Sequence, residues 1–155
     1  MSNYEPEVTQ AVEEAEQALL GSIFLLSSGG QTKAIKEVSK IVAPFDFRGC
    51  VKTNRPDQWI WTARIYYAML ECQGAPHIIN VAKKMIDLDI LQDNDCSLMQ
   101  HCIYLTPCAL DYLDYAKIVK DESIKRSARY YAQKGEIKKL RQLINSDKSL
   151  GTVPL

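Results

Sequence analysis

Apolar residues recur along this chain at spacings of three and four, and glycine or proline interrupts the pattern at short intervals. That period gathers apolar side chains on one face of a helix, so the chain is predicted to fold as helices covering one another's faces. The first run puts Val12, Ala15, Leu19, Ile23 and Leu26 on one stripe, widened by Leu20 and Phe24, and Gly29-Gly30 stops it. Ile35, Val38 and Val42 mark a shorter helix from Lys33 to Val42. Ala43-Pro44 ends it, because the residue before a proline avoids helical backbone. Residues 45–55 read as a loop, and Pro56 suits the first turn of a third helix with the seam Trp59, Ala63, Tyr66 and Leu70. Gly74-Ala75-Pro76 separates it from a fourth helix carrying Ala82, Met85 and Ile86, with His77 or Asn80 near its start. Asp93-Asn94-Asp95 supplies a turn and a cap for a fifth, with Leu98, Cys102 and Leu105 in register. The longest helix is predicted from about Leu110 to Ala132, with Tyr112, Ala116, Val119, Ser123 and Tyr130 roughly in line. Beyond Gly135, Ile137, Leu140 and Ile144 form one more short amphipathic piece. No stretch alternates as a strand does. The expectation is an all-α fold: a compact bundle of about six helices with a protruding C-terminal helix or shortened helical hairpin. It spans residues 12–145, between a flexible N-terminus (1–11) and a flexible tail (146–155).

A chain of 155 residues has the length of one domain. The 19 basic and 19 acidic side chains cancel, which argues against a general polyanion binder. The charge is segregated, however. Residues 1–17 hold five glutamates and no basic residue, and Met85 to Tyr115 hold six aspartates and neither lysine nor arginine. From Lys117 to Arg141 nine basic residues stand against three acids. Opposite-sign surfaces on a neutral molecule suit protein contacts, and the same pattern also arises on solvated helix faces. No apolar run approaches the roughly 20 residues of a membrane span and no signal region opens the chain, so a cytoplasmic protein with reduced thiols is expected.

Residues for chemistry are sparse. No P-loop and no glycine-rich dinucleotide turn is present, and Gly29-Gly30-Gln31-Thr32-Lys33 is only an echo of one. His77 and His101 belong to no metalloprotease motif, and no serine-nucleophile elbow occurs. Cys96, Cys102 and Cys108 recur every six residues beside His101, but paired zinc spacings are missing; thiols acting as small hydrophobes are the simpler reading. Glu13, Glu14 and Glu16 are expected in the first turn of the first helix, complementing its dipole. No catalytic residue, cofactor or metal site is therefore expected.

One set of motifs is more specific. Glu14-Ala15-Glu16-Gln17-Ala18-Leu19-Leu20-Gly21 resembles the E-A-E-Q-x-[VL]-L-G opening of the N-terminal domain of DnaB-type replicative helicases. Asp46-Phe47 and the aromatic helix after it resemble that family's D-F segment. Thr106-Pro107-Cys108-Ala109, followed by Tyr115 to Glu122, resembles its T-P-[SA]-A…Y-A-x-I-V-x-E segment. The ordered set covers about residues 12–130. The chain departs from the pattern around Arg48–Asn54, at Gly74–Ile78, near Asp95-Cys96 and after Gly135. The resemblance implies a helical bundle with a protruding hairpin that packs into a helicase collar and receives primase. It also implies that ATP hydrolysis resides in a downstream RecA-like domain with no counterpart here, as in a free-standing relative from a phage or mobile element, or the leading piece of a longer helicase.

The functional expectation is a non-catalytic interaction module of DNA replication, contacting a replicative helicase ring, a primase or another copy of itself. The expected contact surface is the Leu110–Ala132 helix, with Tyr115, Ile118 and Val119 partly in the core and Arg126, Arg129 and Tyr130 exposed. A second possibility is single-stranded DNA binding through Arg55, Trp61, Arg64 and the basic stretch after Lys117, since arginine interleaved with aromatics can stack unpaired bases. Trp59 and Tyr66 hold the seam spacing and are assigned to the core, whereas Trp61 faces away from it.

Overall fold

The computed structural model describes residues 6–50 and 53–146. The described residues form seven α-helices and no strand: α1 (Pro6–Ser27), α2 (Lys33–Ser39), α3 (Trp61–Glu71), α4 (Ile78–Asp87), α5 (Asp95–Leu105), α6 (Tyr112–Gln133) and α7 (Ile137–Ser146). Three short 3₁₀ turns, Pro44–Asp46, Pro56–Gln58 and Ala109–Asp111, sit in the connections. The all-α expectation holds, with the terminal hairpin resolved into α6 and α7. Residues 1–5 and 147–155, which include most of the expected flexible ends, lie outside the described residues.

α1 is the axis of the molecule. Its stripe of Ala15, Leu19, Leu20, Ile23 and Phe24 is buried, and α5, α6, α3 and α2 all pack against it. The four large ones, Leu19, Leu20, Ile23 and Phe24, contribute about 1.5–3 kcal/mol each on burial, which is why the helices assemble around this one. The crossing with α5 is close. A Cβ on Gly21 would collide with Thr106 Oγ1 and with the Cys102 carbonyl, so glycine is required there by space. Thr106 Oγ1 in turn donates to the Cys102 carbonyl at 2.7 Å, holding the end of α5 against that gap.

The third predicted helix begins later than expected. Pro56 opens a 3₁₀ turn instead, and α3 starts at Trp61. Trp59 precedes the helix but is still buried, its indole N–H donating to the Thr53 carbonyl at 3.2 Å. α1 likewise begins at Pro6, inside the segment expected to be flexible, so Glu13, Glu14 and Glu16 lie well past its first turn. His77 is the N-cap of α4, its Nδ1 accepting from the Asn80 amide at 3.4 Å.

α6 and α7 form an antiparallel hairpin through Gly135, whose φ of 68° is the left-handed conformation that closes such a turn. No residue of α7 is buried, although Ile137, Leu140 and Ile144 keep an amphipathic spacing. No described helix is long and apolar enough to cross a membrane.

Candidate interaction site

The residues between α2 and α3 are held by two buried carboxylates. Glu16, on α1 and 1% exposed, accepts the Arg48 amide at 2.7 Å through Oε2, and the Arg48 guanidinium approaches Oε1 at 3.7 Å. Burial pushes the Glu16 carboxyl up to about 7, against the opposing pull of Arg48 and Arg126. Asp46, at the end of the first 3₁₀ turn, accepts from Ser123 Oγ at 2.6 Å and from Lys120 Nζ at 3.4 Å, both on α6. Its second oxygen also accepts the Ala43 amide at 2.7 Å. Arg126 completes the junction by donating from Nη2 to the Asp46 carbonyl at 2.7 Å. A cleft of about 280 Å³ lies beside it, lined by Phe45, Phe47, Lys120, Arg126, Ser127 and Leu143 among others.

This junction redraws the expected contact surface on α6. Arg126 is half-buried and bound to the backbone of Asp46, so it is a structural residue and not the exposed charge that was expected. Val119 is fully buried. Tyr115 is half-buried, with its hydroxyl donating to the Cys108 carbonyl at 3.1 Å. Arg129 and Tyr130 are exposed as expected, and Ile118, expected partly in the core, is exposed as well. Ile118, Lys125 and Arg129 follow one another at spacings of seven and four, on the side of α6 opposite the buried Ala116, Val119 and Ser123. Arg129 is braced by Glu122 at 3.1 Å.

Of the residues expected to contact nucleic acid, Arg55, Trp61 and Arg64 do not come together as a site. Arg64 is 3% exposed. Its guanidinium makes a two-pronged ion pair with the buried Asp95, Nη2 to Oδ1 at 3.1 Å and Nη1 to Oδ2. It also donates to the carbonyls of Trp59 at 3.1 Å and Ile90 at 3.0 Å. Arg64 thus joins α3, the approach to α5 and the start of α5, and no ligand can reach it. Trp61 is half-buried against the core. Arg55 is exposed and pairs with Asp57 at 3.1 Å. The helix periodicity could not have separated Arg64 from a surface arginine, because its neighbours Ala63 and Ile65 are apolar on both sides and its partner Asp95 lies 31 residues on.

Some exposed apolar residues were not foreseen. Tyr104 is 87% and Leu110 76% exposed, at the end of α5 and within the third 3₁₀ turn, which packs on α1. Both fall off the seam spacing of their segments, which was the available signal. Among the thiols, Cys102 is buried and its pKa is pushed up to about 12 by that burial, whereas Cys96 and Cys108 are exposed. No group of three histidine, cysteine or acidic side chains able to hold a metal ion occurs among the described residues.

No protein-family model matches the chain. No curated protein matches it either.

Proposed function

We propose that this chain is a non-catalytic interaction module of DNA replication, with the architecture of the DnaB N-terminal domain, that docks on a replicative helicase ring. The observation that carries this reading is a convergence. The three sequence segments that resemble the helicase domain lie far apart in the chain and meet at two points of the fold. Glu16 of the first holds Arg48, next to Asp46-Phe47 of the second, and Asp46 holds Lys120 and Ser123 on the helix of the third. Gly21, the last residue of the first segment, abuts Thr106, the first residue of the third. Motif residues that specify one another's packing behave as a single structural signature, which favours a common architecture over three chance matches.

The contact surface in this reading is the outward stripe of α6, with Ile118 as its apolar centre and Lys125 and Arg129 as flanking charge. A primase or a second copy of the chain is the next partner for the same surface. The test is light-scattering mass after gel filtration, with the chain alone and mixed with the replicative helicase of its host. Co-elution that Ile118→Asp abolishes, with an unchanged melting curve, is the expected result. A monomer that ignores helicase, primase and itself removes the reading.

A further inference from the structure

The hairpin carries a second surface, centred on its tip, most of which lies outside the stripe proposed for the helicase contact. Seven basic residues and one acid lie between Lys125 and Arg141, in a chain whose total charge is zero. Lys125, Arg129, Lys134, Lys138, Lys139 and Arg141 are all exposed. Glu136, the one acid, pairs with Lys139 at 3.4 Å, and Lys125, Lys138 and Arg141 have no acidic partner among the described residues.

Aromatic rings sit among these cations. Tyr130 continues the core-facing stripe of α6 by two heptads from the fully buried Ala116, yet it is 54% exposed because the helix has by then run past the body. Its ring meets that of Tyr131 edge to face at 5.7 Å. Lys134 Nζ stands 5.8 Å from the centre of the Tyr130 ring, and Lys139 Nζ 6.0 Å from that of Tyr131. A tyrosine placed this way costs apolar exposure and does no core packing. Beside it are cations in excess of what local acids need.

We infer that the tip of the α6–α7 hairpin is a binding site for single-stranded nucleic acid, with the cations on its phosphates and Tyr130 stacked on an unpaired base. Charge alone would suit any polyanion. The exposed ring is what selects a single strand: a duplex hides its base faces, and an acidic peptide offers none. The site shares Lys125 and Arg129 with the stripe proposed for the helicase contact, but Tyr130, Lys134, Lys138, Lys139 and Arg141 lie outside that stripe, so it stands without the helicase reading and Ile118→Asp tells the two apart.

The test is fluorescence anisotropy of a labelled oligo-dT with the full chain, alongside a duplex of equal length and a polyglutamate peptide. With three to five phosphates neutralised, affinity is expected to fall roughly 20- to 100-fold between 50 and 200 mM salt. Tyr130→Ala is expected to weaken binding at least about fivefold, while Tyr130→Phe keeps it. The triple change Lys134→Ala, Lys138→Ala and Arg141→Ala should flatten the salt response. Ile118→Asp should leave oligo-dT binding intact. All the changed side chains are exposed, so circular dichroism melting will separate lost binding from lost fold. Absence of binding overturns the inference, and so does equal affinity for the duplex with no effect of Tyr130→Ala. Polyglutamate binding as tight as oligo-dT also overturns it and makes the hairpin tip a docking site for an acidic protein.

Discussion

Replacing Arg64 by alanine distinguishes a buried structural arginine from a surface one. The guanidinium satisfies both oxygens of Asp95 and the carbonyls of Trp59 and Ile90, and the two side chains are 4% and 2% exposed. Without it, Asp95 keeps only the Gln92 amide, at 2.8 Å, and remains a charge in a dry site. Removing one partner of a buried ion pair costs about 3–5 kcal/mol, most of it from the stranded charge. For a chain of this size each kcal/mol lowers Tm by about 2–4 °C, so a loss near 4 kcal/mol corresponds to a fall of roughly 8–16 °C. Replacing both partners with apolar residues of similar volume, Arg64→Met with Asp95→Leu, removes the stranded charge and should recover much of the loss. Recovery will be incomplete because the Gln92 amide and the two carbonyls lose their partners. Thermal melting by circular dichroism, with urea unfolding as a check on two-state behaviour, measures all three variants. Arg55→Ala, at an exposed surface pair, serves as the control and should shift stability by less than about 0.5 kcal/mol. An Arg64→Ala protein that melts within a degree or two of its parent would refute the structural role and reopen the surface reading.

Other perturbations address the remaining junctions. Gly21→Ala drives a methyl group into the Thr106 hydroxyl and the Cys102 carbonyl; backbone cannot yield as a flexible side chain does, so a loss of about 1–3 kcal/mol is expected in urea unfolding. Arg126→Glu should destabilise the domain by breaking the Asp46 carbonyl bond and adding a negative charge near Glu16 and Asp46, whereas Arg129→Glu should leave the melting curve nearly unchanged and weaken the contacts proposed for the outer face of α6. Glu16 makes stability depend on pH. Its carboxyl sits near 7 when folded, raised by burial from 4.5, with Glu13 on its own helix, Arg48 from the loop and Arg126 from α6 as the charges around it. Between those two values the folded state binds more protons than the unfolded one, so stability falls as pH rises from about 4.5 to about 7, by about 3 kcal/mol from this group. Glu16→Gln should flatten that slope in calorimetry across the window, and an unchanged slope would assign the effect elsewhere.

Much of the helical framework was legible because it rests on local signals. The α1 stripe, the Gly29-Gly30 stop, the Gly135 break and the long α6 all follow from period and punctuation, which act within a few residues. The misses share a different origin. Pro56 is equally good at the start of a 3₁₀ turn and of an α-helix, and the Trp59 carbonyl is drawn out of the helix by its bond to Arg64 Nε. The glutamates of α1 were placed at its start because apolar periodicity begins at Val12; the helix itself begins at Pro6. Glu16 then falls on the buried face, where a carboxylate is least expected and where it anchors Arg48.

The candidate surfaces divide along the same line. Arg129 and Tyr130 were recognisable because each lies on a helix whose register was already set, whereas Ile118, expected partly in the core, turns outward. Arg126 and Arg64 were mistaken for surface charge because what buries them comes from elsewhere: Asp46, 80 residues before Arg126, and Asp95, 31 residues after Arg64. An arginine on an amphipathic helix offers no local sign of which carbonyl or carboxylate will reach it. The two pairings nevertheless differ in what they imply. Arg64–Asp95 closes within the α3–α5 region, whereas Arg126 and Asp46 join α6 to the loop that Glu16 also holds. That second junction fixes the root of the hairpin, beside the cleft that Leu143 of α7 helps to line. A partner gripping the outward stripe of α6 and a nucleic-acid strand on its tip would therefore both pull against the same anchored base. The hairpin can carry load without α7 being buried, because its attachment to the body is made by Ser123, Lys120 and Arg126 rather than by the arm that folds back.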